Sequence, residues 1–134
     1  MAKPKTTQTR RIAVEVLGRI DNGAHSDQQL ALVTHLTEPD KRLLREIVLG
    51  TVTWRSWLDY HLDAYLKKPV STQKPVIRNI LRSGAYQILF LDRVPTYAIV
   101  SESVELARQK GRSISGMVNA VLRGVAEKRK PIHL

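Results

Sequence analysis

The residues able to do chemistry in this chain are few, and their spacing argues against catalysis. Cysteine is absent from the 134 residues, which removes disulfides, thiolate metal sites and a cysteine nucleophile. His25, His35, His61 and His133 are dispersed and lack metal-ligand spacing. Asp59 and Asp63 stand at i and i+4 and could share a helix face, where paired acids can do acid–base work. The plainer reading of such a pair is a solvated face beside lysines. Neither a Gly-rich phosphate loop nor a dinucleotide fingerprint occurs, and Gly111 and Gly116 read as helix punctuation. No cofactor and no metal are expected.

The cations are more informative. The net charge is +10, and it is unevenly placed. Residues 1–19 hold Lys3, Lys5, Arg10, Arg11 and Arg19 against Glu15 alone, an excess of +4. Residues 108–134 hold Arg108, Lys110, Arg112, Arg123, Lys128, Arg129 and Lys130 against Glu127, an excess of +6. The middle of the chain sums to zero. Two basic ends form a polyanion-binding surface if they meet in space. The same charge also suits a solvated surface with basic tails.

Individual arginines divide further. Arg10 and Arg11 open the first helix-period segment, where the helix dipole disfavours cations, so their placement suggests RNA contact. Arg78 and Arg82 are like charges at i and i+4, which repel mildly in an isolated helix. They either grip successive phosphates or each find an acid such as Asp92 or Glu102. Arg93 reads as structural, bonding exposed carbonyls at a helix end. Trp54, Arg55 and Trp57 place aromatic surface beside a cation, suited to stacking an unpaired base. Trp54 lies near an apolar stripe and is expected in the core; Trp57 fits either role. Asn119 interrupts an apolar helix and is expected to tie it to a neighbour, because a buried amide must be hydrogen-bonded.

The elements that position these residues all read as helices. Ile12, Ala13, Val16, Leu17 and Ile20 form one stripe, stopped by Asp21-Asn22-Gly23. Ser26 with Gln29 has the capping-box pattern for a short helix. Thr37 caps a longer one with Pro39 and Asp40 in its first turn. Its stripe runs through Leu44, Ile47 and Val48 toward Leu58 and Leu62, with a break expected near Trp57. Pro75 opens a helix carrying Ile77, Ile80, Leu81, Gly84 and Ile88 inward, and Pro95 interrupts it. Thr96 caps the next segment, ending at Gly111, and Ser113 caps the last, whose stripe includes Met117, Val118, Val121, Leu122 and Val125. Alternating strand patterns and internal repeats are absent. Composition, 43% hydrophobic and 25% charged, is that of an ordinary folded domain. One domain over residues 1–134 is expected, with a basic tail over about 1–8 and a linker starting near 128–134. No apolar run approaches the roughly 20 residues of a membrane span. MAKPKTTQTRR is followed by no apolar signal core, so the chain reads as cytoplasmic without membrane contact.

Three segments carry a resemblance: LRSGAYQILFLDRVP at 81–95, YAIVSESVELA at 97–107 and GMVNAVLR at 116–123. A weaker echo lies in REIVLGTVTWRSWLDYHL at 45–62. Together they resemble the NusB-type RNA-binding domain, nearest to the version at the N-terminus of the RsmB (Sun, Fmu) ribosomal RNA cytosine-5 methyltransferases. The resemblance implies an all-α bundle of six or seven helices. It also implies an RNA-binding module that helps place small-subunit (16S) ribosomal RNA, with a C-terminal methyltransferase domain or a ribosomal protein as protein partner. In the methyltransferases, the nucleophilic cysteine and the S-adenosylmethionine site belong to the separate C-terminal domain, so this chain is not expected to be an enzyme by itself. Two other readings stay open: a stand-alone antitermination factor that binds leader RNA with a ribosomal protein, and a protein–protein docking domain. The expected RNA-binding residues are Arg10, Arg11, Arg55, Arg78, Arg82, Lys128 and Arg129.

Overall fold

In a computed structural model, which describes residues 5–128 (side chains from residue 8), the chain forms seven α-helices and no strand among the described residues. These are α1 Lys5–Asp21, α2 Ser26–Ala31, α3 Glu38–Thr53, α4 Arg55–Asp63, α5 Pro75–Phe90, α6 Thr96–Ala107 and α7 Arg112–Lys128. Short 3₁₀ turns at Val70–Thr72 and Arg108–Lys110 complete the connections. This is the expected all-α class and helix number.

The architecture is organised around α5. Residues 79–88 of this helix are buried without exception. A helix apolar on one stripe needs one neighbour; a helix buried on every side needs several. Here α1, α3, α4, α6 and α7 all pack against it. Arg10 reaches Gln87 while Asp21 reaches Asn79, so α1 runs antiparallel to α5. Asp59 meets Arg82 and Trp57 meets Phe90, so α4 does too. α6 and α7 form a hairpin on the far flank.

Two glycines are required by close approach. A Cβ at Gly50 would overlap the Tyr86 ring, so α3 and α5 meet only because that position is bare. A Cβ at Gly84 would stand 2.8 Å from Leu122, which lets α7 settle onto α5. Gly23, at φ 99°, ends α1 in a Schellman arrangement: its amide donates to Ile20 and that of Ala24 to Arg19.

Several boundaries differ from expectation. The break between α3 and α4 falls at Trp54, whose φ of −102° and ψ of 15° are outside the helical region. It lies three residues earlier than the expected break near Trp57. Trp54 itself is 46% exposed rather than core, because at the joint its stripe runs beyond the helices that cover it. Thr37 caps α3 as expected, accepting from the Asp40 amide at 3.4 Å. The caps expected at Ser26 and Thr96 are not formed; both residues already lie inside their helices, after His25 and Pro95. Ser113 likewise lies within α7.

Val118 has no exposed surface and faces the centre of the bundle. Val118→Asp should cost about 3–5 kcal/mol, the range for an uncompensated buried charge. Gly50→Ala should cost about 1–3 kcal/mol, because Tyr86 must shift in a close-packed site. Urea denaturation followed by circular dichroism checks both.

Candidate nucleic-acid interface

The seven candidate cations are not gathered in one place. Arg55, Arg78 and Arg82 converge on one open polar cleft of about 490 Å³ between the end of α1, the start of α4 and the first half of α5. Arg10 and Arg11 stand in the first half of α1, which already begins at Lys5, so they do not open the helix as expected. Lys128 is the exposed last residue of α7, and Arg129 lies outside the described residues. Among the described residues α1 and α7 make no close backbone approach, and each packs instead against α5 and α6. Among the described residues, direct packing of the first and last helices therefore does not bring Arg11 and Lys128 together.

Their surroundings separate these arginines by role. Arg10 is 3% exposed and donates through Nε to Gln87 and through Nη1 to Glu102. Burial pushes its pKa below the usual arginine value, and the Glu102 carboxylate opposes that shift. Arg10 thus joins α1, α5 and α6 from inside. Arg82 is also buried and makes a two-pronged contact with Asp59, with both nitrogen–oxygen distances 2.7 Å. Arg78 is half-buried and reaches Asp21 at 3.3 Å. Asp21 also accepts from Asn79 at 2.9 Å. The partners suggested by the sequence, Asp92 and Glu102, are not those used by Arg78 and Arg82. Arg55 is exposed at the cleft rim and has no ion pair among the described residues. Arg11 is half-buried and likewise has no ion pair there. The cleft therefore presents one unneutralised guanidinium backed by two neutralised ones.

Four other expectations meet the structure differently. Asp59 and Asp63 do not act as a pair: Asp59 holds Arg82, and Asp63 accepts the Val70 amide at 2.8 Å, fixing the loop before α5. Arg93 bonds Glu46 at 3.2 Å on the surface rather than helix-end carbonyls. Asn119 is half-buried in the groove between α6 and α7 and makes no hydrogen bond to a neighbouring helix among the described residues, so it is not the expected tie there. Trp57 is 43% exposed. The pairings escaped sequence reading because the partners come from other helices, 23 to 92 residues away, and Glu102 serves Arg10 instead of Arg78 or Arg82. Among the described residues, no group of three or more His, Asp or Glu side chains could hold a metal ion. No helix there is long and apolar enough to cross a membrane.

The NusB family matches residues 7–127, nearly the whole described chain. The chain belongs to the NusB family. A probable ribosomal RNA small subunit methyltransferase B from Bacillus subtilis (strain 168) is 35% identical over 95% of this chain but only 29% of its own length. A transcription antitermination protein NusB from Roseiflexus sp. (strain RS-1) is 30% identical over 92% of this chain and 95% of its own. The chain thus spans under a third of the methyltransferase relative it matches, and what aligns is the helical NusB-type part, which is not a catalytic domain. The fold agrees with T. maritima NusB at a TM-score of 0.84 and 24% identity, covering 98% of this chain and 96% of that one. It also agrees with a structure of antitermination factors NusB and NusE in complex with dsRNA, at a TM-score of 0.78 and 20% identity, over 90% of this chain and 95% of that one.

Glu102 should matter to stability and Arg55 should not. Glu102→Ala leaves a buried guanidinium short of its charge partner and should cost about 3–5 kcal/mol. Arg55→Ala removes an exposed side chain and should stay within about 0.5 kcal/mol. Chemical denaturation of the two variants side by side checks the contrast.

Proposed function

We propose that this chain is an RNA-binding module that places small-subunit ribosomal RNA for a methyltransferase of the RsmB type, with no catalysis of its own. The observation that carries the proposal is the polar cleft, where Arg55, Arg78 and Arg82 face one opening with Arg55 left unpaired. An unpaired guanidinium at a rim can take a phosphate, while paired ones behind it hold the geometry and add positive potential. The basic excess at both chain ends, including Arg11, Lys128 and Arg129, would add longer-range attraction. Because α1 and α7 are separated, these contacts would fall on different stretches of the RNA. Arg10 and Arg82 act through the fold that displays their neighbours, since contact with phosphate would cost them their carboxylates.

The methyltransferase reading is supported by the 35% identity to the Bacillus subtilis relative over 95% of this chain and by the LDRVP and GMVNAVLR segments. A second reading, an antitermination factor working with a ribosomal protein on leader RNA, has one observation in its favour: the Roseiflexus NusB aligns over nearly its full length. In the solved complex, NusB is found with NusE and dsRNA.

Filter binding at two salt concentrations tests the proposal. Arg55→Ala should weaken RNA binding across sequences and lower the salt slope by about 1, as expected for one lost phosphate contact. Arg11→Ala should act similarly, while Lys67→Ala with Lys68→Ala, in the charge-balanced middle, should matter less. A small-subunit rRNA fragment should compete better than a single-stranded leader; the reverse order favours the antitermination reading. If Arg11→Glu and Arg55→Glu both bind RNA like the parent with helicity intact, neither α1 nor the cleft carries the interface. A docking domain for an acidic protein is then the better description.

A further inference from the structure

The exposed rings at the start of α4 have no role in the fold proportionate to their size. Trp54 and Trp57 are 46% and 43% exposed and lie together with Phe90 of α5 behind them, and Tyr60, 75% exposed, follows one turn later in α4. Large aromatics grouped at a surface, rather than scattered singly, mark a binding site.

The ring geometry is that of an open stack. Tyr86 and Phe90 lie 4.9 Å apart with planes 19° from parallel. Phe90 and Trp54 continue the series at 5.3 Å and 32°. The near-parallel series thus runs from the buried Tyr86 outward to a half-exposed indole. Trp57 meets both Trp54 and Phe90 edge-on, at 65° and 67°, and braces them. Gly50 makes the series possible by letting Tyr86 lie against α3.

Cations surround the stack. Arg55 follows Trp54 directly in the chain and lines the polar cleft, so α4 begins between that cleft and the rings. On the other side, a groove of about 410 Å³ runs beside Trp54 and Tyr86 and is edged by the exposed Arg42 and Arg45. Arg42 has no ion pair among the described residues, and Arg45 has only a 3.7 Å surface contact with Asp27. Glu46, the acid on this groove, is bonded to Arg93.

We propose that Trp54 and Trp57 stack an unpaired base of single-stranded RNA whose phosphates lie on Arg55 toward the polar cleft and on Arg42 and Arg45 toward the groove. An apolar protein partner would gain from the rings but would have to cover unpaired guanidinium groups. A flexible strand uses both, since every base has a stacking face and every phosphate a charge. A base-paired helix cannot offer a base to Trp54, so the site selects single-stranded segments. The inference rests on the RNA-binding function proposed above and deepens it to a base-reading subsite.

The chain contains two tryptophans and both are in this patch, so indole emission reports on it alone. Titrating the protein with a short single-stranded oligoadenylate should quench that emission, while a base-paired RNA of equal length should leave it unchanged. Trp57→Ala, with its helicity verified, should weaken single-strand binding roughly 5- to 150-fold, the range for one lost base–aromatic stack. Trp57→Phe should retain most of the affinity. If filters retain the oligonucleotide but emission does not change, the subsite is refuted while the wider RNA-binding function stands. If no RNA is retained at all, both fall together. If emission shifts with protein concentration in the absence of RNA and sedimentation shows a dimer, the rings are covered by a second copy and the inference is wrong.

Discussion

Everything in this fold depends on one helix that has no solvent side. Along α5, residues 79–88 are buried, yet they include Asn79, Arg82, Ser83 and Gln87. Polar groups removed from water must be hydrogen-bonded or they destabilise the fold by several kcal/mol. Each of the four has a partner. Ser83 bonds the Asn79 carbonyl, and Gln87 donates to the Ser83 carbonyl within the helix. The others reach outward, Asn79 to Asp21 of α1 and Arg82 to Asp59 of α4. Gln87 also receives Arg10, which extends to Glu102 of α6. Apolar packing alone would allow α1, α4 and α6 to slide along α5; these bonds fix where each one stops.

That requirement also decides which arginines are available for function. A guanidinium that satisfies a buried acid is a fastener, and one left at a rim is a contact. Arg10 and Arg82 are fasteners, Arg55 is the contact in the proposed RNA surface, and Arg78 lies between, with its half-exposed pair to Asp21. The cleft and the aromatic surface meet at the start of α4, where Trp54 and Arg55 are consecutive. The helix break at Trp54 turns these neighbouring side chains toward different openings. Fold and proposed RNA surface are thus linked through a single irregular residue.

Much of the fold was legible in the sequence because helical periodicity and Pro and Gly punctuation are local signals. Pro75, Thr37 and Gly23 lie at the helix limits as expected. The unusual burial of α5 was only half visible. Its apolar stripe stood out, but Arg82 stayed open between a phosphate and an acidic partner, because Asp59 lies on another helix. The same blindness explains Arg10. A cation read as opening a helix resembles an RNA contact until α1 is seen to begin at Lys5 and Glu102, 92 residues later, is seen beside Arg10. Trp54 misled in the opposite direction: its spacing matched the stripe, but the break placed it beyond the cover of neighbouring helices. Arg42 and Arg45 drew no notice in sequence, where nothing links them to Trp54.

The division of arginines into fasteners and contacts is tested most directly by photo-crosslinking the protein to single-stranded RNA and mapping the adducts by mass spectrometry. Adducts should concentrate on the start of α4, at Trp54 to Tyr60, and spare the segment of α5 that is buried all round. Adducts confined to α2, or to the groove between α6 and α7, with none at the start of α4, would contradict the account.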